Sequence, residues 1–197
     1  NAIITETTIP ALDGASKEPG YISVVIAPER VSLGAGSAGK VAPAPSKAKT
    51  WISSNFKLEI DGLDTARVSR IEPIVVKQTV AAVGGAAREA GKVSGKLQFE
   101  NLQITLAEAG SDSWRRWHED FLIKGESSDK GERKGRLLLL APNAKDVLAQ
   151  IDLHNLGIVA LRPQSGDGSA QYQAELNVHV GNLRYLPASS NENSIRS

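Results

Sequence analysis

The sequence predicts a mainly β protein of the α+β class, an antiparallel β-barrel or sandwich with one flanking α-helix. Several segments alternate apolar and polar residues with a period of two, and turn residues separate them. One segment, 111–124, instead has its aromatic residues at helical spacing. Many strands joined by turns, together with a single helix, are typical of a barrel or sandwich whose helix covers one side.

The helical segment 111–124 carries three aromatic residues at i, i+3 and i+7, namely Trp114, Trp117 and Phe121. This spacing places all three on one face of a helix, so we expect that face to be buried against the barrel. Ser111 or Asp112 is suited to cap the N-terminus with its side chain, and Gly125 to end the helix.

The strand prediction begins at residues 56–60, where apolar and charged residues alternate before an Asp-Gly turn at 61–62. Residues 66–80 continue as one or two strands, interrupted near Pro73. Leu97 and Phe99 alternate in one phase, whereas residues 102–106 alternate in the other. The slip between them, at Asn101, predicts a β-bulge.

The remaining predictions concern one loop before the helix and the strands after it. Residues 81–95 are small and glycine-rich and predict a mobile loop between strands. Residues 137–140 are four leucines, the pattern of a strand buried on both faces. Residues 147–153 and 172–180 alternate regularly, with a turn at 165–170 between them.

These signals predict three regions. Residues 1–50 differ from the rest and are expected to be an N-terminal arm, with a strand or two near 21–33, followed by a linker rich in Gly, Ala and Pro. Residues 51–187 are expected to be the barrel domain. Residues 188–197 are expected to be a flexible C-terminal tail.

The composition excludes several classes of function. The chain has 197 residues, 23 basic and 22 acidic, so no bulk charge attracts nucleic acid and no specific nucleic-acid binding is predicted. It has no cysteine, which excludes disulfides and thiolate chemistry. No apolar run approaches the ~20 residues that span a bilayer. The first residue is Asn and there is no Met, so a cleaved leader or a missing initial segment is expected.

The segment 34–40, GAGSAGK, satisfies the spacing of a dinucleotide-binding loop and of the first seven positions of a P-loop. Either motif needs a helix that begins at the last glycine, so that its amides meet the phosphates. Residues 41–45, with Pro43 and Pro45, deny that helix, and Val41 stands where a P-loop needs a hydroxyl. The segment is interpreted as linker.

No catalytic, cofactor-binding or metal-binding residues are predicted. The three histidines, His118, His154 and His179, are far apart and have no neighbour at metal-ligand spacing. His154 and His179 lie on the polar phase of their strands, so solvated histidines are expected. His118 with Glu119 and Asp120 is interpreted as a solvated helix face. No G-x-S-x-G elbow occurs, and the protein is predicted not to be an enzyme.

Residues 55–187 resemble the phage contractile-tail tube protein family, which is related to the tubes of type VI secretion and extracellular injection systems. The resemblance rests on the order of four segments. These are FKLEIDGLDTARVSRIEPI, GKLQFENLQITLAEAGSDSWRRWHEDFLIKG, RLLLLAPNAKDVLAQIDLHNLGIVALRP and QYQAELNVHVGNLRYL. About fifty residues precede the resemblance, whereas the family often opens with its barrel.

The resemblance implies a tail-tube-type barrel that assembles into hexameric rings stacked as a hollow tube, with no active site and no cofactor. Sheath, baseplate or cargo proteins are the implied partners. The implied location is a virion tail or an injection-system tube assembled in the cytoplasm, or outside the cell if a leader was cleaved before Asn1. Two alternatives stay open: an exported binding or adhesion module that does not polymerise, and a hydrolase with an unrecognised site.

The assembly hypothesis gives two further expectations. Polar residues on two of the predicted strands are candidates for the wet side of the channel: Lys57, Glu59, Gln173 and Glu175. The loop 81–95 is expected to reach toward the next ring or subunit, because its small residues cannot build a core alone.

Overall fold

A computed structural model describes residues 2–31, 34, 51–83, 91–125, 131–165 and 169–185. Within these ranges, eleven strands form two antiparallel sheets. The strands are β1 (Ala2–Ile9), β2 (Leu12–Asp13), β3 (Ser23–Pro28), β4 (Phe56–Ile60), β5 (Val68–Ile71), β6 (Ile74–Val83), β7 (Gly91–Phe99), β8 (Leu102–Ala107), β9 (Arg133–Leu140), β10 (Val147–Ser165) and β11 (Ala170–Tyr185). The prediction of a mainly β fold with one flanking helix is confirmed.

The larger sheet has seven strands in the order β2-β5-β8-β11-β10-β9-β4 and is barrel-like and nearly closed. Its inward side chains form the core, because alternate residues of each strand point to the same face. They include Leu58, Ile71, Ile104, Leu106, Leu137, Ile151, Leu153, Ile158, Ala174 and Leu176, all at most 3% exposed. The leucine run predicted to be buried on both faces is buried at 137–139.

The helix predicted over 111–124 is present as a continuous helical segment with a change of pitch. A 3₁₀ turn (Glu108–Gly110) leads into α1 (Asp112–His118), which continues as a π-helical turn (Glu119–Ile123). Gly125 follows with φ of 74°, the left-handed conformation that glycine adopts at a helix end.

The aromatic face of this segment is buried as predicted, with Trp114 at 0%, Trp117 at 3% and Phe121 at 8% exposure. The Trp114 indole N–H donates to the carbonyl of Asp64 at 2.8 Å, and the Trp117 indole N–H donates to that of Gly131 at 3.0 Å. These bonds satisfy the polar edge of each ring, which allows both to lie in the core.

The predicted side-chain cap is wrong. Ser111 occupies the N-cap position but has φ −86° and ψ −8° and makes no side-chain cap hydrogen bond. The preceding 3₁₀ turn, in which the Ser111 N–H donates to the carbonyl of Glu108 at 2.9 Å, holds Ser111 in a helical conformation. A capping side chain needs extended backbone at that position. Asp112 instead pairs with Arg115 one turn later.

The smaller sheet has four strands in the order β3-β1-β6-β7. Three of its strands continue into the larger sheet through short corners: β1 runs into β2 across residues 10–11, β5 into β6 across 72–73, and β7 into β8 across 100–101. The interruption predicted near Pro73 is therefore one of these corners. At this junction Ile9 and Ile74 face each other and are buried.

Two predictions of local structure are wrong. Within the segment 81–95 predicted as a loop, residues 81–83 and 91–95 belong to the antiparallel strands β6 and β7, in which Ala81 faces Val93, whereas residues 84–90 lie outside the described residues. Its small residues are tolerated there because most described side chains of β7 are exposed and fill no core. The phase slip at Asn101 marks the corner between the two sheets rather than a bulge, since β7 and β8 belong to different sheets.

Part of the N-terminal segment belongs to both sheets. Strand β1 pairs with β6, and β2 pairs with β5 through Leu12 opposite Ile71. Ile9 and Leu12 are 2% and 0% exposed, so these two residues belong to the core. The linker over 35–50 and the tail over 188–197 lie outside the described residues, and the division into three regions stays a prediction.

Candidate assembly surface

The two faces of the four-stranded sheet differ: one is mainly apolar, and the other carries charged or amide side chains on β1, β6 and β7 beside an apolar residue of β3. The register sets Val24, Thr7, Val76 and Phe99 side by side across all four strands. Two residues further along, Ile26 faces Ile4 and Gln78 faces Leu97 on the same side. The bulge between Ile4 and Glu6 keeps the isoleucine on this side of the sheet.

This apolar side of the sheet is buried in the core only next to the corners that lead into the larger sheet, at Ile9 and Ile74. Further out, its large side chains are half exposed: Ile4 is 51%, Val24 46%, Ile26 56% and Leu97 47% exposed. We call these four residues the apolar face of the sheet. A cluster of this kind on a soluble surface is typical of a protein interface.

The opposite face carries charged and amide side chains. The next row across the sheet contains Val25, Glu6, Lys77 and Gln98. The Lys77 ammonium pairs with Glu100 at 2.8 Å, and this hydrogen bond, together with the charge of Glu100, raises the pKa of Lys77. This face is suited to water.

The sheet ends on both sides in strands whose outer edges have no partner strand among the described residues, β3 and β7. Strand β3 is unusual for an edge strand, because its central residues Val24, Val25 and Ile26 are all apolar and 46–56% exposed. Consecutive apolar residues put apolar side chains on both faces, the pattern of a strand that is covered on both sides. Exposed apolar edge strands promote association with other chains.

One contact joins the two edges at their outer end. The Lys92 ammonium of β7 donates to the carbonyl of Pro28 at 2.8 Å, and the Lys92 N–H donates to Glu29 at 3.5 Å. The far end of the hairpin therefore lies against the end of β3 in the single chain.

The polar residues expected on the wet side of the channel lie on the larger sheet. Lys57 and Glu59 form an ion pair at 2.7 Å, and Glu59 also pairs with Arg136. Hydrogen bonds from Lys57 and then Arg136 lower the pKa of Glu59. These paired polar side chains lie side by side on the outer face of the barrel.

On β11, Glu175 accepts hydrogen bonds from Asn101 at 2.8 Å and from Arg162 at 3.0 Å, which lower its pKa. Gln173 donates to Gln103 at 3.1 Å. Their place at a channel wall stays a prediction.

Sequence reasoning missed the apolar face. Its residues lie on three strands that are distant in the chain, and only the register brings them together. The signal available was the apolar run in YISVVIAPERVSL, which predicted a strand but not its exposure.

A groove of about 640 Å³ lies between the helix and β9, lined by Trp117, Asp120, Arg133 and Asp61 among others. The Arg133 guanidinium carbon lies 5.1 Å from the centre of the Trp117 ring, a cation–π contact. The guanidinium also donates to the carbonyl of Asp61. Burial lowers the pKa of Arg133. These contacts tie the helix to the barrel and arrange no nucleophile beside a base.

The other residues considered from the sequence as possible metal or nucleotide sites do not come together in one site. His118 and His154 are half-buried on different elements, and the side chain of His179 lies outside the described residues. Of the segment 34–40, only Gly34 is described, and it is exposed. Within the described ranges, no group of three or more His, Cys, Asp or Glu is placed to hold a metal ion. No helix in those ranges is long and apolar enough to cross a membrane.

Comparisons with known proteins found similarity only among solved structures. No family model and no curated protein matches the chain. A chain of the anti-feeding prophage baseplate is 13% identical, with a TM-score of 0.45, covering 68% of this chain and 94% of its own. A chain of the anti-feeding prophage tube-terminating cap is 14% identical, with a TM-score of 0.45, covering 77% and 100%.

A third similar chain comes from the sheath-tube complex of PVC, an extracellular contractile injection system, in its extended state. It is 14% identical, with a TM-score of 0.43, and the match covers 66% of this chain and 89% of that chain.

Proposed function

We propose that this protein is a non-enzymatic structural subunit that assembles into hexameric rings, stacked as the hollow tube of a phage tail or contractile injection system. The observation that carries the proposal is strand β3, an edge strand with exposed apolar side chains on both faces. Such a strand is unfavourable in a lone soluble chain and favourable when a second copy covers it. The sequence resemblance supplies the ring number.

The strand order is compatible with a ring. Edge strands β3 and β7 belong to a sheet of four antiparallel strands, so they run in opposite directions. If β7 of one copy pairs with β3 of the next, the antiparallel alternation continues across the junction. This contact joins two different surfaces, and copies repeated in this way form a ring when the rotation between them closes.

The dimensions are those of a tube wall. Strands lie ~4.8 Å apart, so four strands add about 19 Å per copy and six copies give a wall about 115 Å around. This corresponds to a cylinder of roughly 35 Å across at the backbone, and side chains of ordinary size leave its centre open. The polar face of Glu6, Lys77 and Gln98 is then the face suited to line the channel, in place of the barrel residues named from the sequence.

Sheath, baseplate or cargo proteins are the partners that this role entails. The role entails assembly in the cytoplasm, or outside the cell if a leader is removed before Asn1. The second candidate, an exported binding module that does not polymerise, is favoured by the Lys92 contacts with Pro28 and Glu29, which cover one end of β3 within a single chain.

Light scattering coupled to size exclusion, followed by negative-stain imaging, distinguishes a ring-forming subunit from a binding module that does not polymerise. Six subunits of 20.9 kDa give about 125 kDa. Particles of that mass, seen as rings or tubes, are expected. A protein that remains at 20.9 kDa at every concentration would instead support the binding module.

A further inference from the structure

We propose that the contact of Lys92 with Pro28 and Glu29 is autoinhibitory. It holds the two edges of the four-stranded sheet together in the free chain, and it must open before β7 of one copy can pair with β3 of the next. The inference rests on the proposed function and adds a regulatory step to it, because it makes the free chain a closed form of the subunit. We call the three residues and their two hydrogen bonds the Lys92 contact.

The Lys92 contact joins strands that are not neighbours. Strands β1 and β6 lie between β3 and β7, so in a flat sheet the two edges would stand about 14 Å apart, three strand spacings. Yet the Lys92 ammonium donates to the carbonyl of Pro28 at 2.8 Å, and the Lys92 main-chain N–H donates to the carboxylate of Glu29 at 3.5 Å. Because the second bond starts from the backbone, only the side chain of Glu29 bridges the remaining distance. The two strands themselves have therefore converged.

The pairing of the sheet contains two irregularities that accompany this curvature. The register of β1 with β3 shifts between Ile4 and Glu6, and that of β6 with β7 shifts between Gln78 and Val80. A bulge bends its strand and increases the local twist. The outer part of the sheet, beyond both shifts, is thus the part that curves, and the Lys92 contact closes it.

Side-chain burial marks the same end of the sheet. In β3, Ala27 and Pro28 are half-buried, whereas residues 23–26 are exposed. In β7, Lys92 is half-buried, whereas residues 93–98 are exposed. The contact is therefore confined to the outer ends of the two edge strands, and the rest of both edges stays accessible to a second copy.

The Lys92 contact and ring assembly exclude each other. A wall that advances about 19 Å per copy requires the two edges on opposite sides of the sheet. In the free chain they meet, and the Lys92 ammonium takes up a main-chain acceptor of β3, the kind of group through which an edge strand pairs with another chain. When only an open form can assemble, the apparent dissociation constant rises in inverse proportion to the open fraction.

This closed form favours growth of an existing tube over new rings. A new hexameric ring needs six open copies at once, whereas addition to an existing end needs one open copy at a time. A small open fraction therefore suppresses the first process more strongly than the second. The partner that the open form fits is the exposed strand edge of a copy already assembled.

The Lys92→Met variant tests the inference, because methionine keeps a long unbranched side chain and removes the charge and the donor. It leaves the length of β7 unchanged. Lys96→Met, at an exposed position of the same strand, is the matched control. Light scattering over a concentration series gives the threshold at which particles of ring mass form. We expect this threshold to fall about fivefold or more for Lys92→Met and to change less than about twofold for Lys96→Met.

The Glu29→Ala variant removes the other acceptor and should lower the threshold in the same direction. Circular dichroism shows whether each variant is folded, and Glu29→Ala decides the question if Lys92→Met is not. Rings in the parent with an unchanged or higher threshold in the folded variants would overturn the autoinhibitory contact and leave the proposed function standing. Equal falls for Lys92→Met and Lys96→Met would also overturn it. Absence of rings in the parent and in every variant, at all concentrations, would overturn both.

Discussion

Ile4 on β1 and Ile26 on β3 lie directly opposite each other on one face of the four-stranded sheet, and more than half of each side chain is exposed to solvent. The pair lies beyond the end of the core, which β1 reaches only at its other end, at Ile9. Complete burial of one large aliphatic side chain stabilises by about 1.5–3 kcal/mol. Covering the exposed half of four such residues would contribute roughly 3–6 kcal/mol per junction.

The first prediction tests this face directly. Ile26→Lys should leave the chain folded, because position 26 is exposed in the single chain, and should prevent ring formation, because a lysine cannot be buried there unpaired. Sedimentation and circular dichroism measure the two effects. Ser23→Lys, on the same strand but the opposite face, is the matched control and should assemble like the parent. Equal assembly of both variants would remove the apolar face from the interface.

The second prediction concerns the helical anchor. Trp117→Ala should lower the free energy of unfolding by roughly 3–5 kcal/mol, as large aromatic deletions in cores do. The change removes a buried ring, its hydrogen bond to Gly131 and its contact with Arg133. Urea denaturation followed by circular dichroism gives the value. Arg116→Ala, exposed on the same helix, should change it by less than about 0.5 kcal/mol, and similar losses for the two variants would contradict this account.

The third prediction concerns the hairpin of β6 and β7. Ala81 and Val93 face each other, so residues 82–92 can be replaced by an Asn-Gly turn, which suits a two-residue hairpin loop. We expect the far-ultraviolet spectrum of the barrel to be retained and rings or tubes to be lost, because the change removes the end of edge strand β7 that would pair with β3 of the next copy. Electron microscopy of the variant checks this. Assembly indistinguishable from that of the parent would contradict it.

The fourth prediction concerns acid stability. Hydrogen bonds from Asn101 and then Arg162 lower the pKa of Glu175 below its ordinary value of 4.5. A lowered pKa in the folded state gives stability that is present above 4.5 and is lost as the pH falls through the folded value. Glu175→Gln should therefore flatten the loss of stability below pH 4.5 while changing it by less than about 1 kcal/mol at pH 7.

Thermal melts between neutral and acidic pH measure the effect in both proteins. Glu108→Gln, at an exposed position of the 3₁₀ turn, serves as the control. If Glu175→Gln and the parent lose stability in parallel down to acidic pH, the hydrogen bonds to Glu175 do not contribute to stability as described.

Local pattern determined much of this protein. Period-two alternation identified β4, β8 and β11, and the spacing of Trp114, Trp117 and Phe121 identified the buried face of the helix. These predictions succeed because burial of one face imposes a regular spacing on apolar residues along the chain. The same reasoning failed at Ser111. The preceding 3₁₀ turn holds the Ser111 backbone in a helical conformation, so its side chain does not cap the helix.

Tertiary structure alone decided which strands share a sheet. The change of phase at Asn101 has the same local appearance whether a strand bulges or crosses to another sheet, and only the partners of β7 and β8 distinguish the two. Likewise, Ile4, Ile26 and Leu97 form one surface because strands distant in sequence pair in a particular register. Pairing between distant strands depends on the whole fold, so the apolar face could not be found in the sequence by itself.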